Sequence, residues 1–398
     1  MTPWELNFEV AFDVNPGDEP DPADWTDLSD RLWGSADVAL SWGSMSDTAN
    51  LTLLNRDRQL DPTHAGSTYN PIPMRHARLT VDVGESTYPL MRGYAKGFTP
   101  VWSQQNEALV DVRMVDAFSW IATQDEDVDL PRQRTHQRIT ALLDLAGWPA
   151  GRRDIEDGVA MCTAAEAQDA NLLRMLSDTA DAEEGELYVD PSGDVTFRSR
   201  HHRFDATLDA TLAIFGDGDV PAHDLAIAGV RPDPGTDMLT NIVRMQSAGG
   251  DTIVVTDEDS IGTFGRRAES VRDLALPPYE AEGLGQWVLY RFAGRREWFS
   301  PLSVDVRRNP GSLPTLLDRR VGDRLKFVHV PPGGGDPVEE DVCVERVSHR
   351  IGNHEWIVRF DTEPYFGEGP WAQWETAEAV SGTTWATAEA TEGPRWAP

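Results

Sequence analysis

Period-two alternation of apolar and polar residues dominates the first 116 residues and constrains the fold more than any other feature. Leu6-Asn7-Phe8-Glu9-Val10-Ala11-Phe12, Ala36-Asp37-Val38-Ala39-Leu40-Ser41-Trp42, Ala77-Arg78-Leu79-Thr80-Val81-Asp82-Val83 and Ala108-Leu109-Val110-Asp111-Val112-Arg113-Met114-Val115 all alternate. Successive side chains of a strand point to opposite faces, so such runs predict strands with one face buried. Turn formers separate them at Asn15-Pro16-Gly17-Asp18, Asn70-Pro71 and Gly84-Glu85. Several short strands at this spacing predict a sandwich or barrel over residues 1–116.

Residues 117–200 change period. Ile139, Leu142, Leu143 and Ala146 fall at i, i+3, i+4 and i+7, which predicts a helix from Thr135 to Gly147, with Pro149 beyond. Thr163 and Glu166 have capping-box spacing and predict a second helix from Thr163, striped by Leu172, Leu173, Leu176 and Ala180 and stopped at Gly185. Glu186-Leu187-Tyr188-Val189 and Asp194-Val195-Thr196-Phe197 flank Asp190-Pro191-Ser192-Gly193 and read as a hairpin. This segment is a small α+β unit.

Residues 201–364 return to β. Asn241–Met245 and Asp251–Val255 flank a turn at 247–250, and further strands are expected at Leu302–Val306, Arg324–Val330, Asp341–Ile351 and Trp356–Phe360, with a helix near Tyr279–Phe292. The expected class is mainly β with an α+β insert: two β-barrel or sandwich-like domains around a small α+β domain, followed by an extended tail. That tail, residues 365–398, is acidic and holds four of the chain's 14 tryptophans: Trp371, Trp374, Trp385 and Trp396. It repeats itself in Trp374-Glu-Thr-Ala-Glu-Ala and Trp385-Ala-Thr-Ala-Glu-Ala.

The 398 residues carry 67 acidic against 35 basic side chains, a formal net charge of -32, and all but Lys96 and Lys326 of the basic ones are arginines. Such a surface repels phosphate backbones and anionic membranes, so nucleic-acid recognition is a poor fit. Cys162 and Cys343 stand far apart without metal-ligand spacing and read as buried thiols. No signal peptide opens the chain and no apolar run reaches the roughly 18 residues of a membrane span, so synthesis in the cytoplasm is expected.

Catalytic signatures are missing. There is no GxSxG, HExxH, SxxK, GxxxxGK[ST] or GxGxxG. His349 and His354 flank a turn but lack further ligands. The run Asp125-Glu126-Asp127-Val128-Asp129 and the pair Asp217/Asp219 do not fit an EF-hand loop and read as solvated acidic loops. No enzyme activity, cofactor or metal is expected.

One ordered series of motifs does point somewhere. Asn55-Arg56-Asp57-Arg58-Gln59-Leu60-Asp61-Pro62 is followed by Ser67-Thr68-Tyr69-Asn70-Pro71-Ile72, then Arg78-Leu79-Thr80-Val81, then Pro89-Leu90-Met91-Arg92-Gly93-Tyr94. Downstream come Arg134 to Trp148, Glu184 to Phe197 and Glu345 to Ile351. This order resembles the minor tail proteins of long-tailed phages, in the baseplate-hub (tail-tip hub, or tail-associated) group, over residues 1–364.

The resemblance implies a structural virion protein of the tail tip. Two β-barrel-like domains per subunit would form a pseudo-sixfold ring as a homotrimer that closes the tail tube. Its implied partners are the distal tail ring protein, the tape-measure protein and receptor-binding or tip proteins. DNA would pass without specific binding, and three copies at -32 each would bring -96 charges to such a ring. Asn55, Asp57, Asp61, Pro62, Tyr69, Asn70 and Pro71 are expected to hold a loop rather than to touch a partner. The four tail tryptophans are expected to anchor a tip or fibre protein, since tryptophan is favoured as an interface anchor. The nearest alternative is a distal tail ring protein, usually a hexamer, against which the α+β insert argues. A β-rich carbohydrate-binding or hydrolytic protein is more distant.

Overall fold

The computed structural model describes residues 4–365 except 42–45, 103–107, 201, 203–212, 217–224, 227–231, 234, 236–237, 248–249, 251, 272–274, 296–297, 309, 332–334 and 353–354. The four alternating runs are strands, and two further strands, Thr48–Leu54 and Ser86–Trp102, join them. They are β1 (Trp4–Ala11), β2 (Ala36–Ser41), β3 (Thr48–Leu54), β4 (Arg75–Val83), β5 (Ser86–Trp102) and β6 (Ala108–Val115). All pair antiparallel, in the order β2-β3-β6-β5-β4-β1. Ala49, Leu51, Leu53, Val110, Val112 and Met114 are buried on one face, while Asn50, Asp111 and Arg113 are exposed on the other, as the period requires.

The α+β unit follows. Asp116 caps α1 (Ala117–Ile121) by accepting the Phe118 N–H at 3.0 Å. Then come β7 (Asp125–Leu130), α2 (Thr135–Leu145), β8 (Ala165–Asn171), α3 (Leu172–Glu183), β9 (Glu186–Val189) and β10 (Val195–Arg198). The second helix therefore begins nine residues later than the capping-box spacing at Thr163 predicts. Residues 165–171 pair with β7 instead, with a bulge at Asp169, whose φ is +46°. Thr163 turns its N–H to Ala275 O (2.9 Å), and Asn171 caps α3 by accepting the Arg174 N–H (3.1 Å). The acidic run 125–129 is the strand β7, not a loop. Only Val128 of that run is buried, and the carboxylates line its solvent side. Ile139, Leu142, Leu143, Leu172, Leu176, Leu187 and Phe197 close one core over this unit, joined by Tyr94 and Val115 of the sheet.

Beyond residue 200 lie β11 (Ile214–Gly216), β12 (Ile242–Gln246), β13 (Thr252–Thr256), α4 (Glu258–Phe264), β14 (Ala268–Val271), α5 (Pro278–Phe292), β15 (Leu302–Asp305), β16 (Arg324–His329), β17 (Val338–Ile351) and β18 (Trp356–Pro364). The strands β13-β12-β14 form a separate three-stranded sheet. Helix α5 seals it by laying Ala281, Leu284 and Val288 on Val243 and Met245. The short helix α4, capped by Asp257, was not foreseen.

The strand β17 is the seam of the molecule. Its first half pairs with β16, Cys343 opposite Arg324. Its second half pairs with β2, from Arg346 opposite Ser41 to Ile351 opposite Ala36, while β18 covers its other edge. A bulge between Val344 and Arg346 marks the change. The early and late β segments thus share one ladder of thirteen described strands and one hydrophobic core running from Phe8 to Phe360. Burying each Leu, Val or Phe in it contributes about 1.5–3 kcal/mol. The fold is mainly β with a large antiparallel sheet, and a further short helix, Leu313–Leu317, packs into the main core.

Candidate functional site

The loop from Asn55 to Pro71 follows β3. Asn55 is buried, and its side-chain oxygen accepts the N–H of buried Leu60 at 2.9 Å, closing the first turn. Arg31 grips Asp57 through both carboxylate oxygens (2.8 and 2.6 Å), so the Asp57 carboxyl is held down at about 2. Asp61 is buried; it accepts from the Thr63 hydroxyl and N–H (2.7 and 2.9 Å) and from Arg58 (2.6 Å). These bonds, Thr63 first, hold its carboxyl at about 2. Pro62 is exposed and rides between Asp61 and Thr63. Tyr69 stacks on Phe12 with ring centroids 4.8 Å apart and only 6° between planes. The Asn70 carbonyl accepts the Ile72 N–H (2.8 Å), and Pro71 is buried beside it. These motif residues are spent on one another, on Arg31 and on Phe12 beyond the end of β1.

The four tail residues Trp371, Trp374, Trp385 and Trp396 lie outside the described residues, as do His354, Asp217 and Asp219. His349 is buried and takes a hydrogen bond from Trp356. Among the described residues no group of three His, Cys, Asp or Glu could hold a metal ion, and no helix is long and apolar enough to cross a membrane.

Two polar junctions, which sequence reasoning did not single out, lock the sheet to its neighbours. At the first, Glu19 bridges Arg92 of β5 and Arg152 of the α+β unit (3.2 Å to Arg152), and Arg152 reaches on to Asp194 (2.5 Å) and Ser192 O (2.6 Å). Tyr94 donates to Pro16 O (2.7 Å) and His76 bonds Asn15 O (2.9 Å), so the 13–19 loop is clamped over β4 and β5. Burial holds the His76 imidazole below its usual range. At the second, Arg291 of α5 meets Glu363 of β18 (3.0 Å) and Glu184 at the end of α3 (3.7 Å). Nothing in spacing marks these residues, since their partners are 72 and 133 positions away.

A cavity of about 250 Å³ opens between the β9–β10 hairpin and the start of β16. Asp154, Arg198, Arg320, Asp323, Arg324 and Tyr365 line it, with Arg324 stacked on the Tyr365 ring at 4.0 Å. Its cations and carboxylates answer one another: Arg198 pairs with Asp154, and Arg324 with Asp341 (3.0 Å).

No protein-family model matches the chain, and no curated protein matches its sequence. Solved structures do match its backbone. A tail protein from Neisseria meningitidis MC58 superposes with a TM-score of 0.60 at 11% identity, over 90% of this chain and 96% of that one. The 43 kDa tail protein of prophage MuSo2 from Shewanella oneidensis superposes with a TM-score of 0.56 at 14% identity, over 91% of this chain and 98% of that one. This is the fold of phage tail proteins. A third match with the tail-protein fold is an E. coli component of the type VI secretion system, described as structurally similar to the T4 bacteriophage tail proteins gp27 and gp5. Its TM-score is 0.50 at 10% identity, over 84% of this chain and 74% of that one.

Proposed function

We propose that this chain is a structural subunit of a phage tail tip, a baseplate-hub protein, and that it catalyses no reaction. The observation that carries the reading is the end-to-end match to tail proteins, which covers at least nine tenths of both chains in two cases. The motif order of residues 55–94 supports it independently. In this reading three copies form a pseudo-sixfold ring, each subunit contributing strands from residues 1–116 and 201–364. The α+β unit sits outside the ring, and the tail beyond residue 364 supplies tryptophan anchors for docking. The ring contacts the distal tail ring and the tape-measure end, holds the receptor-binding proteins, and resides at the tip of the virion tail.

The charge of -32 gives the ring a lumen that a DNA polyanion can cross without sticking. A net basic lumen in an assembled particle would remove that role.

Native mass spectrometry of the chain with its tail neighbours tests the assembly. Three copies support the hub. Six copies move the assignment to a distal ring. A monomer that binds or cleaves cell-wall glycan and ignores tail proteins overturns both.

A further inference from the structure

The outward face of β3, β6 and β5 is built in three rows. Opposite residues of antiparallel neighbours share a face, so register places Leu54, Leu109 and Val101 in one row. Thr52, Asp111 and Thr99 form the next, and Asn50, Arg113 and Gly97 the third. The first row is apolar and open, with Val101 36% exposed. The Trp33 N–H donates to Thr52 O (2.8 Å), which brings an exposed tryptophan alongside. In the third row Arg113 is exposed, with exposed Lys96 in the adjoining bulge. Neither cation has an ion pair or side-chain hydrogen bond among the described residues, in a chain where carboxylates outnumber cations 67 to 35.

The C-terminal segment repeats with a period of eleven residues. Trp374, Trp385 and Trp396 are equally spaced, and the first two begin Trp-Xaa-Thr-Ala-Glu-Ala. Residues 366–398 hold five glutamates against one arginine. In an extended strand, residues i, i+2 and i+4 face the same way. Trp374, Thr376 and Glu378 would form one such face, and Trp385, Thr387 and Glu389 another. From Leu109 to Arg113 is four residues of strand, about 13 Å at roughly 3.3 Å per residue, and Trp to Glu in the repeat spans the same length.

We infer that the outward face of β3, β6 and β5 is the docking site for the Trp-Xaa-Thr-Ala-Glu repeat of this chain's own C-terminal segment. The indole covers the apolar row beside Trp33. The threonine hydroxyl donates to Asp111, which already accepts from Thr52 at 2.8 Å. The glutamate neutralises Arg113 and Lys96. The described chain ends at Tyr365, whose N–H binds Asp341 O at the opposite end of the sheet. Trp385 lies twenty residues further on, a reach of up to about 66 Å. That exceeds the roughly 40 Å along the strands to the apolar row, so the repeat reaches its own copy or a neighbour. The inference rests on the reading of the tail tryptophans as docking anchors and specifies what they dock on.

The test is a photo-cross-link in the full chain, with a benzophenone amino acid replacing exposed Thr99. Irradiation is expected to join position 99 to residues 374–390. The product's mass, one chain or two, shows whether the repeat comes from the same copy or another. Arg113→Glu is expected to cut the yield about five-fold, the size an exposed ion pair supplies. Glu378→Arg with Glu389→Arg is expected to restore it in that background. A product joined to other residues, no product, or a yield indifferent to Arg113→Glu overturns the inference. The copy number of the assembly is read separately, so the hub reading stands or falls on its own.

Discussion

The indole Nε1–H of Trp356 reaches Nδ1 of His349 across 3.3 Å, joining the first residue of β18 to the half of β17 that pairs with β2. Trp4 meets the same indole edge-on at 5.2 Å, so this pair sits where the early and late β segments close on each other. An acceptor nitrogen must be unprotonated. Burial and, secondarily, the charge of Arg320 push the His349 imidazole down to about 4.

That has a consequence for acid stability. Between about pH 6.5 and 4 the unfolded chain takes a proton on this imidazole and the folded chain does not. The contribution is fully present above pH 6.5 and is lost as pH falls toward 4, by about 3 kcal/mol in all. Urea unfolding of the native chain and of His349→Gln across that range should show a steeper acid loss in the native chain. Parallel curves would mean that His349 titrates normally.

The buried turn of the motif loop makes a second prediction. Asn55→Ala removes the side-chain acceptor of the buried Leu60 N–H, and an orphaned buried donor costs about 1–3 kcal/mol. Asn55→Asp keeps an acceptor and should cost less. Hydrogen exchange at Leu60 is the local readout: faster exchange in Asn55→Ala is expected, and unchanged exchange would remove the loop-holding role.

The strands were legible because burial on one face imposes a period of two, and each alternating run in residues 1–116 is a strand within a few residues of its expected bounds. At 165–171 the capping-box spacing of Thr163 and Glu166 points to a helix, but that spacing is local and gives no sign of the pairing with β7 that makes the segment a strand. The β17–β2 seam was invisible. It pairs residues about 310 positions apart, and no local pattern encodes a register between distant strands. The motif residues were found in order, but their bonds were not: Asp57 is gripped by Arg31, which lies outside the motif.

Gly93 shows why one residue of that motif cannot vary. A Cβ there would stand 2.2 Å from Val115 O and 2.9 Å from Asp116 Cα, both backbone, where the sheet passes into α1. Gly93→Ala must push β5 off β6 or distort the capped turn at Asp116. A loss of about 1–3 kcal/mol is expected. Gly97→Ala, on the same strand with open space around it, should cost clearly less. Equal thermal shifts in the two variants would contradict this account.

The Arg291 junction gives the last test. Its guanidinium lies 3.0 Å from Glu363 and 3.7 Å from Glu184, so one cation ties α5 to the end of β18 and to the end of α3. Burial raises the Glu184 carboxyl above its usual range, and Arg291 opposes that shift. Arg291→Met keeps the length of the side chain but leaves two crowded carboxylates without this cation. Removing one partner of a buried pair costs about 3–5 kcal/mol, mostly the penalty of the charges left behind. That penalty shrinks when the carboxylates can take protons, so the variant should lose more stability at pH 8 than at pH 5. Arg291→Met with Glu363→Gln should recover part of the loss, because neighbouring substitutions in one ionic network are not additive. Denaturant unfolding of the single and double variants at the two pH values measures both effects. A loss below about 1 kcal/mol, or one equal at both pH values, would show that apolar packing alone holds the three elements together.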